Sequence, residues 1–147
     1  MYKRILVATD GSKLSQMAVD HALNLADLTG AEVVALKVIP RYPQTYFEGG
    51  VALAAEEIAR VEKQWHDEAM TAVTAVKSAG QLLEVKVKPV TVKADLVAEA
   101  IIATAKRSKC DLIVMASHGR RGLKRLLLGS ETQQVLTHSH TPVRGLR

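Results

Sequence analysis

Residues 4–9, RILVAT, are apolar without a break and rich in β-branched side chains until Asp10-Gly11 stops them, which predicts a strand covered on both faces. From Lys13 the period changes. Leu14, Met17, Ala18, His21, Ala22 and Leu25 recur at helical spacing up to Leu28, with Ser12 placed to cap the start and Gly30 the end. Glu32 to Ile39 repeats the strand pattern and stops at Pro40. The next stretch, Pro40 to Gly50, mixes prolines, tyrosines, a phenylalanine and a Gly-Gly pair, so an irregular loop or lid is expected. A long helix should follow, striped by Ile58, Val61, Trp65, Ala69, Ala72, Val73 and Val76 and ended by Gly80.

Leu83, Val85 and Val87 alternate with Glu84, Lys86 and Lys88, the pattern of a strand with one wet face, and Pro89 places it at a sheet edge. Leu96 to Lys106 predicts an Ala- and Ile-rich helix, Asp111 to Ala116 another fully apolar strand, and Glu131 to His138 a last helix before the short tail Thr141-Pro142-Val143. Strand and helix therefore alternate along the chain. Such alternation predicts a parallel sheet with right-handed crossovers and helices on both faces.

Composition agrees with that reading. The 147 residues are 48% hydrophobic but only 3% aromatic, so the core must be built of Val, Leu, Ile and Ala, and one domain spanning 1–147 is expected. Cys110 stands alone, which removes intrachain disulfides and points to a reducing cytoplasm; before a predicted strand it reads as buried packing. The apolar run at the N-terminus is too short for a signal peptide, and no run is long enough for a membrane span, so no membrane partner is expected. A net charge of +5 favours anionic partners without naming one.

Two strand ends carry the candidate chemistry: Ala8-Thr9-Asp10-Gly11-Ser12 and Met115-Ala116-Ser117-His118-Gly119. Central neighbouring strands whose chains depart in opposite directions open such loops on one crevice. Gly119 and Gly122 permit the positive φ angles that turn backbone N–H groups toward an anion, and Gly129-Ser130 supplies a helix N-terminus with its partial positive charge. Arg120, Arg121, Lys124 and Arg125 bias that approach toward anions. Purely structural readings stand beside these: Ser130-Glu131-Thr132-Gln133 fits a capping box, Asp10 starts a turn, and the four bases form a solvated face.

Several classes are excluded. There is no G-x-x-x-x-G-K-[ST], no G-x-G-x-x-G after the first strand and no G-x-S-x-G elbow. His118, His138 and His140 lack the carboxylate or thiolate neighbours of a metal site, so no metal ligand is assigned. Nucleic acid is an unlikely partner, because no aromatic side chain lies among Lys106, Arg107, Lys109 and the bases of 120–125.

KRILVATDGSKLSQMAVDHALNLA, CDLIVMASHGRRGLKRLLLGS and VLTHSHTPV together resemble the universal stress protein family. Its nucleotide-binding members carry G-x-x-G, nine residues, then G-[ST], a frame that falls here on Ala116, Gly119, Gly129 and Ser130 with alanine in the first place. The resemblance implies an α/β, Rossmann-like fold: an open parallel five-stranded sheet of order 3-2-1-4-5 with helices on both faces. It further implies ATP, with Mg²⁺, as the ligand of a cytoplasmic stress-response or signalling module, with Ala8, Thr9 and Asp10 on the adenosine side and Val38 near the adenine. Gly119, Gly129 and Ser130 would hold the phosphates, and Met115, Ala116 and Glu131 complete the candidate set; Lys93-Ala94-Asp95 resembles a ribose-side loop without its glycine. Catalytic residues are not expected, and hydrolysis should be weak or absent. A homodimer through the final strand is implied too, where this chain carries Arg144-Gly145. The alternative is a scaffold of the same fold that binds no nucleotide and works through protein partners.

Overall fold

The computed structural model describes residues 2–41, 51–116 and 130–146, leaving aside the side chains of 51–54, 130 and 131. In chain order the elements are β1 (Arg4–Ala8), α1 (Lys13–Thr29), β2 (Glu32–Ile39), α2 (Val51–Leu82), β3 (Val87–Lys93), α3 (Val97–Arg107), β4 (Leu112–Ala116), α4 (Ser130–His138) and β5 (Val143–Leu146). All five strands run parallel in the order β3-β2-β1-β4-β5, so the expected topology is the one observed. Ile5 lies between Val33 on β2 and Leu112 on β4, which fixes the register of the centre.

Alternation along the strands divides the core in two. Ile5, Val7, Val33, Ala35, Leu112 and Val114 face α1 and α2, whereas Leu6, Val34, Leu36, Ile113 and Met115 face α3 and α4. With both faces covered, β1 and β4 can be apolar throughout, as their sequences required. Cys110 is buried in the second cluster, and burial pushes its thiol up to about 11, against the opposing pull of Arg4. That value fits a packing role.

The face of α1 differs from the expected stripe. Ser15, Ala18, Val19, Ala22, Leu23 and Ala26 are buried, while Met17 is 53% exposed and Leu14, His21 and Leu25 sit at the margin. Small side chains let the helix lie close on β1 and β4, and the larger ones flank the contact.

Three helices end in the same way. The N–H of Ala31 reaches the Ala26 carbonyl, that of Val85 the Gly80 carbonyl and that of Cys110 the Ala105 carbonyl, each across a residue in the left-handed region: Gly30 (φ 75°), Glu84 (φ 58°) and Lys109 (φ 57°). This is the Schellman closure, which satisfies the last carbonyls of a helix. Gly80 accordingly does not stop α2, contrary to expectation. It lies within the last turn, where an added Cβ would come within 2.5 Å of Val87 Cγ2 and 3.0 Å of the Val85 carbonyl oxygen.

The third strand is also displaced from its expected position. Leu83 and Glu84 belong to the turn that closes α2, and β3 runs from Val87 to Lys93, through Pro89, at the predicted edge. Val85 and Val87 are nonetheless buried while Leu83 is 36% exposed, so the alternation reported burial at two of its three apolar positions and the strand only from Val87 on. Of the expected loop or lid at Pro40 to Gly50, residues 42–50 lie outside the described residues. No helix is long and apolar enough to cross a membrane among the described residues.

Candidate functional site

β1 stops because Thr9 and Asp10 turn the chain into α1. Thr9 still donates its N–H to the Leu36 carbonyl (2.9 Å), so the turn starts from a fixed strand end. Asp10 then accepts from the Ser12 N–H through Oδ1 (2.9 Å), an Asx turn, and Ser12 Oγ accepts from the Ser15 N–H (3.1 Å) as the cap of α1. Beneath them, buried Thr9 and Ser15 share a hydroxyl contact of 3.1 Å, and the Gly11 N–H reaches Thr9 Oγ1 at 3.2 Å. Gly11, at φ 81°, takes a conformation that side chains other than glycine rarely adopt.

Burial alone would raise the Asp10 pKa, but hydrogen bonds from the Ser12 hydroxyl and N–H, a further one from Ser15 and the charge of Lys37 together hold it below 3.8. A fixed carboxylate therefore stands at the rim of a cavity of about 370 Å³ lined by Asp10, Gly11, Lys37, Ile39, Pro40, Trp65 and Glu68. β1, β2 and α2 build that cavity at the carboxyl ends of the strands. In open parallel sheets ligands enter at this end, where the chain leaves neighbouring strands in opposite directions. Here β2 follows β1 on one side and β4 flanks it on the other.

At the end of β4, Thr132 donates its hydroxyl to the Ala116 carbonyl (2.8 Å) while only 2% exposed. The bond ties the first turn of α4 to the strand end. Gly119 and Gly129 lie outside the described residues, as do Gly122 and the bases of 120–125; so do the side chains of Ser130 and Glu131.

Of the candidates that are described, Thr9 and Asp10 shape the turn. Val38 (7% exposed) and Met115 (5%) point into the cluster under α3 and α4, with Ala8 packed against it. Their side chains form an apolar floor beneath the strand ends. Sequence reasoning missed Ser15, Lys37, Trp65, Glu68 and Thr132. Lys37 had left a signal, as the charged residue inside the otherwise apolar stretch VVALKVI; Thr132 shares the buried face of α4 with Val135 three residues on.

The match to the universal stress protein family runs over residues 1–144. The chain belongs to that family. Universal stress protein MJ0531 of Methanocaldococcus jannaschii is 35% identical over 97% of this chain and 81% of its own length. MJ0577 of the same organism is 30% identical over 97% of this chain and 93% of its own. The solved structure of MJ0577 superposes with a TM-score of 0.82 at 31% identity, covering 99% of this chain and 96% of that one. Universal stress proteins solved with cAMP (TM-score 0.71, 22% identity, 99% and 97% covered) and, from Archaeoglobus fulgidus, with dAMP (0.65, 18%, 99% and 98%) share the fold. The layout of this universal stress protein, with its switch point between β1 and β4, is thus that of the family.

Proposed function

We propose that this universal stress protein binds an adenine nucleotide, ATP with Mg²⁺ in the first instance, above the carboxyl ends of β1 and β4, and acts through a ligand-dependent change of shape or partner. The observation that carries the reading is the adjacency of two prepared strand ends: the Asp10 turn with its lowered pKa, and the Ala116 end held to α4 by Thr132. Thr9, Asp10 and the backbone around Ala8 and Val38 take the nucleoside side; Met115, Ala116, Gly119, Gly129, Ser130 and Glu131 take the phosphate side. When bound, Mg²⁺ would offset phosphate charge. The nucleotide complexes of two family members support an adenylate as ligand.

Hydrolysis is expected to be weak or absent, since no described residue is assigned as a base for water. The protein works in the cytoplasm and pairs through the outer edge of β5, where Arg144 and Gly145 are exposed. Melting with and without Mg-ATP tests the binding: ligand at one hundred times its dissociation constant adds about 2.7 kcal/mol of stability. Gly119→Val abolishes that gain. An unshifted wild-type melt at millimolar Mg-ATP would leave the scaffold reading, which the methyl group of Ala116 favours by narrowing the approach to the main chain.

A further inference from the structure

The opposite end of the sheet holds a larger cavity, about 640 Å³, lined by Arg4, Glu32, Lys77, Lys86, Lys88 and Arg107 with Ser108, Lys109 and the adjoining strand residues. Strand register explains the gathering. Arg4 and Glu32 are paired across β1 and β2, and Lys88 is paired with Val34, so all share the face that Leu6 and Val34 turn toward α3. The C-terminal end of α3 brings Arg107 and Lys109 to the same corner, and Lys77 of α2 also lines it.

The charge there is unbalanced. Glu32 is the carboxylate in the lining and is already shared by Arg4 (3.3 Å) and Lys86 (3.9 Å). Arg4 also donates to the Ser108 carbonyl (2.6 Å), and neighbouring Asp111 spends its carboxylate on the N–H groups of Lys3 and Arg4. Lys77, Lys88, Arg107 and Lys109 have no carboxylate partner among the described residues. Cations near helix C-termini complement the dipole, which accounts for Arg4 and Arg107. It does not account for Lys88 on a strand, or for Lys109 in the left-handed position where Gly30 serves α1.

We propose that this corner is a second binding site, selective for a chain of linked phosphoryl groups. Linked phosphoryl groups concentrate negative charge and acceptor oxygens in a small volume, matching several clustered ammonium groups better than a single phosphate can. The site is remote from the strand ends assigned to the nucleotide and does not depend on that assignment.

Titrating the labelled protein with sodium tripolyphosphate while following backbone amides tests it. Saturable shifts are expected at Lys86–Lys88 and Ser108–Cys110, with orthophosphate giving no saturation. Lys88→Glu combined with Lys109→Glu should weaken the affinity about tenfold or more without changing the fold, as both side chains are exposed. Lys109→Gly adds a separate readout: it relieves the backbone, so it should melt no lower than the wild type and yet bind tripolyphosphate less tightly. Uridine triphosphate binding more tightly at the same amides would identify a nucleotide tail as the source; equal binding would identify the free chain. Shifts confined to the region of Ala116 and Ser130, affinity untouched by the charge reversals, or saturation by an oligo-aspartate peptide and not by tripolyphosphate would overturn the proposal.

Discussion

Thr132 shows how much one hydroxyl can set. Its bond to the Ala116 carbonyl lies in a buried corner, where a lost partner leaves an acceptor unsatisfied. Thr132→Val should cost about 1 kcal/mol in urea unfolding, with an unchanged denaturant slope. An equal midpoint would mean that the bond does not hold β4 to α4. Asp10 makes a second prediction at this scale. Its folded pKa lies below 3.8, so it contributes stability above that value and loses the contribution as pH falls through the folded pKa. The stability gap between the wild type and Asp10→Asn should be flat from neutral pH to about pH 4 and close below it. A gap unchanged at lower pH would contradict the assignment. Asp10 and the Ser12 cap were legible, because Asx turns and caps depend on residues two or three apart. Thr132 and Lys37 were not assigned, since their partners lie in other elements and no local pattern reports such contacts.

Elements were legible where period and punctuation agreed. β1, β2, β4 and α1 fall within a residue or two of their expected limits, because Asp10-Gly11, Gly30 and Pro40 each break the pattern. The failure at residues 80–87 has a specific cause. Glycine was read as a helix stop, but the left-handed turn is taken by Glu84, and Gly80 is there for close approach to Val85 and Val87. Two substitutions separate these roles. Gly80→Ala, favourable on helix propensity alone, should destabilise by about 1–3 kcal/mol because the stiff Val87 side chain must move. Glu84→Gly should stabilise by about 1 kcal/mol, because glycine takes positive φ without the Cβ penalty. Opposite signs in thermal unfolding support the assignment; a stabilising Gly80→Ala would refute it.

For the whole molecule, sheet topology makes the functional argument. The order β3-β2-β1-β4-β5 puts β1 and β4 side by side and sends their chains to opposite sides, the layout at which open parallel sheets take their ligands. Alternation of strand and helix sufficed to expect a parallel sheet, and the resemblance supplied the strand order. What no pattern foretold is the charge at the other end, where register and two helix ends gather cations from distant segments. The two proposed ligand sites thus lie at opposite ends of the sheet and differ in chemistry. Nucleotide binding at the carboxyl ends of β1 and β4 is decided by titrating Mg-ATP and following backbone amide shifts: saturable shifts are expected at Thr9–Ser12, Ala116 and Ser130–Thr132, and their absence, or shifts confined to Lys86–Lys88 and Ser108–Cys110, would contradict it.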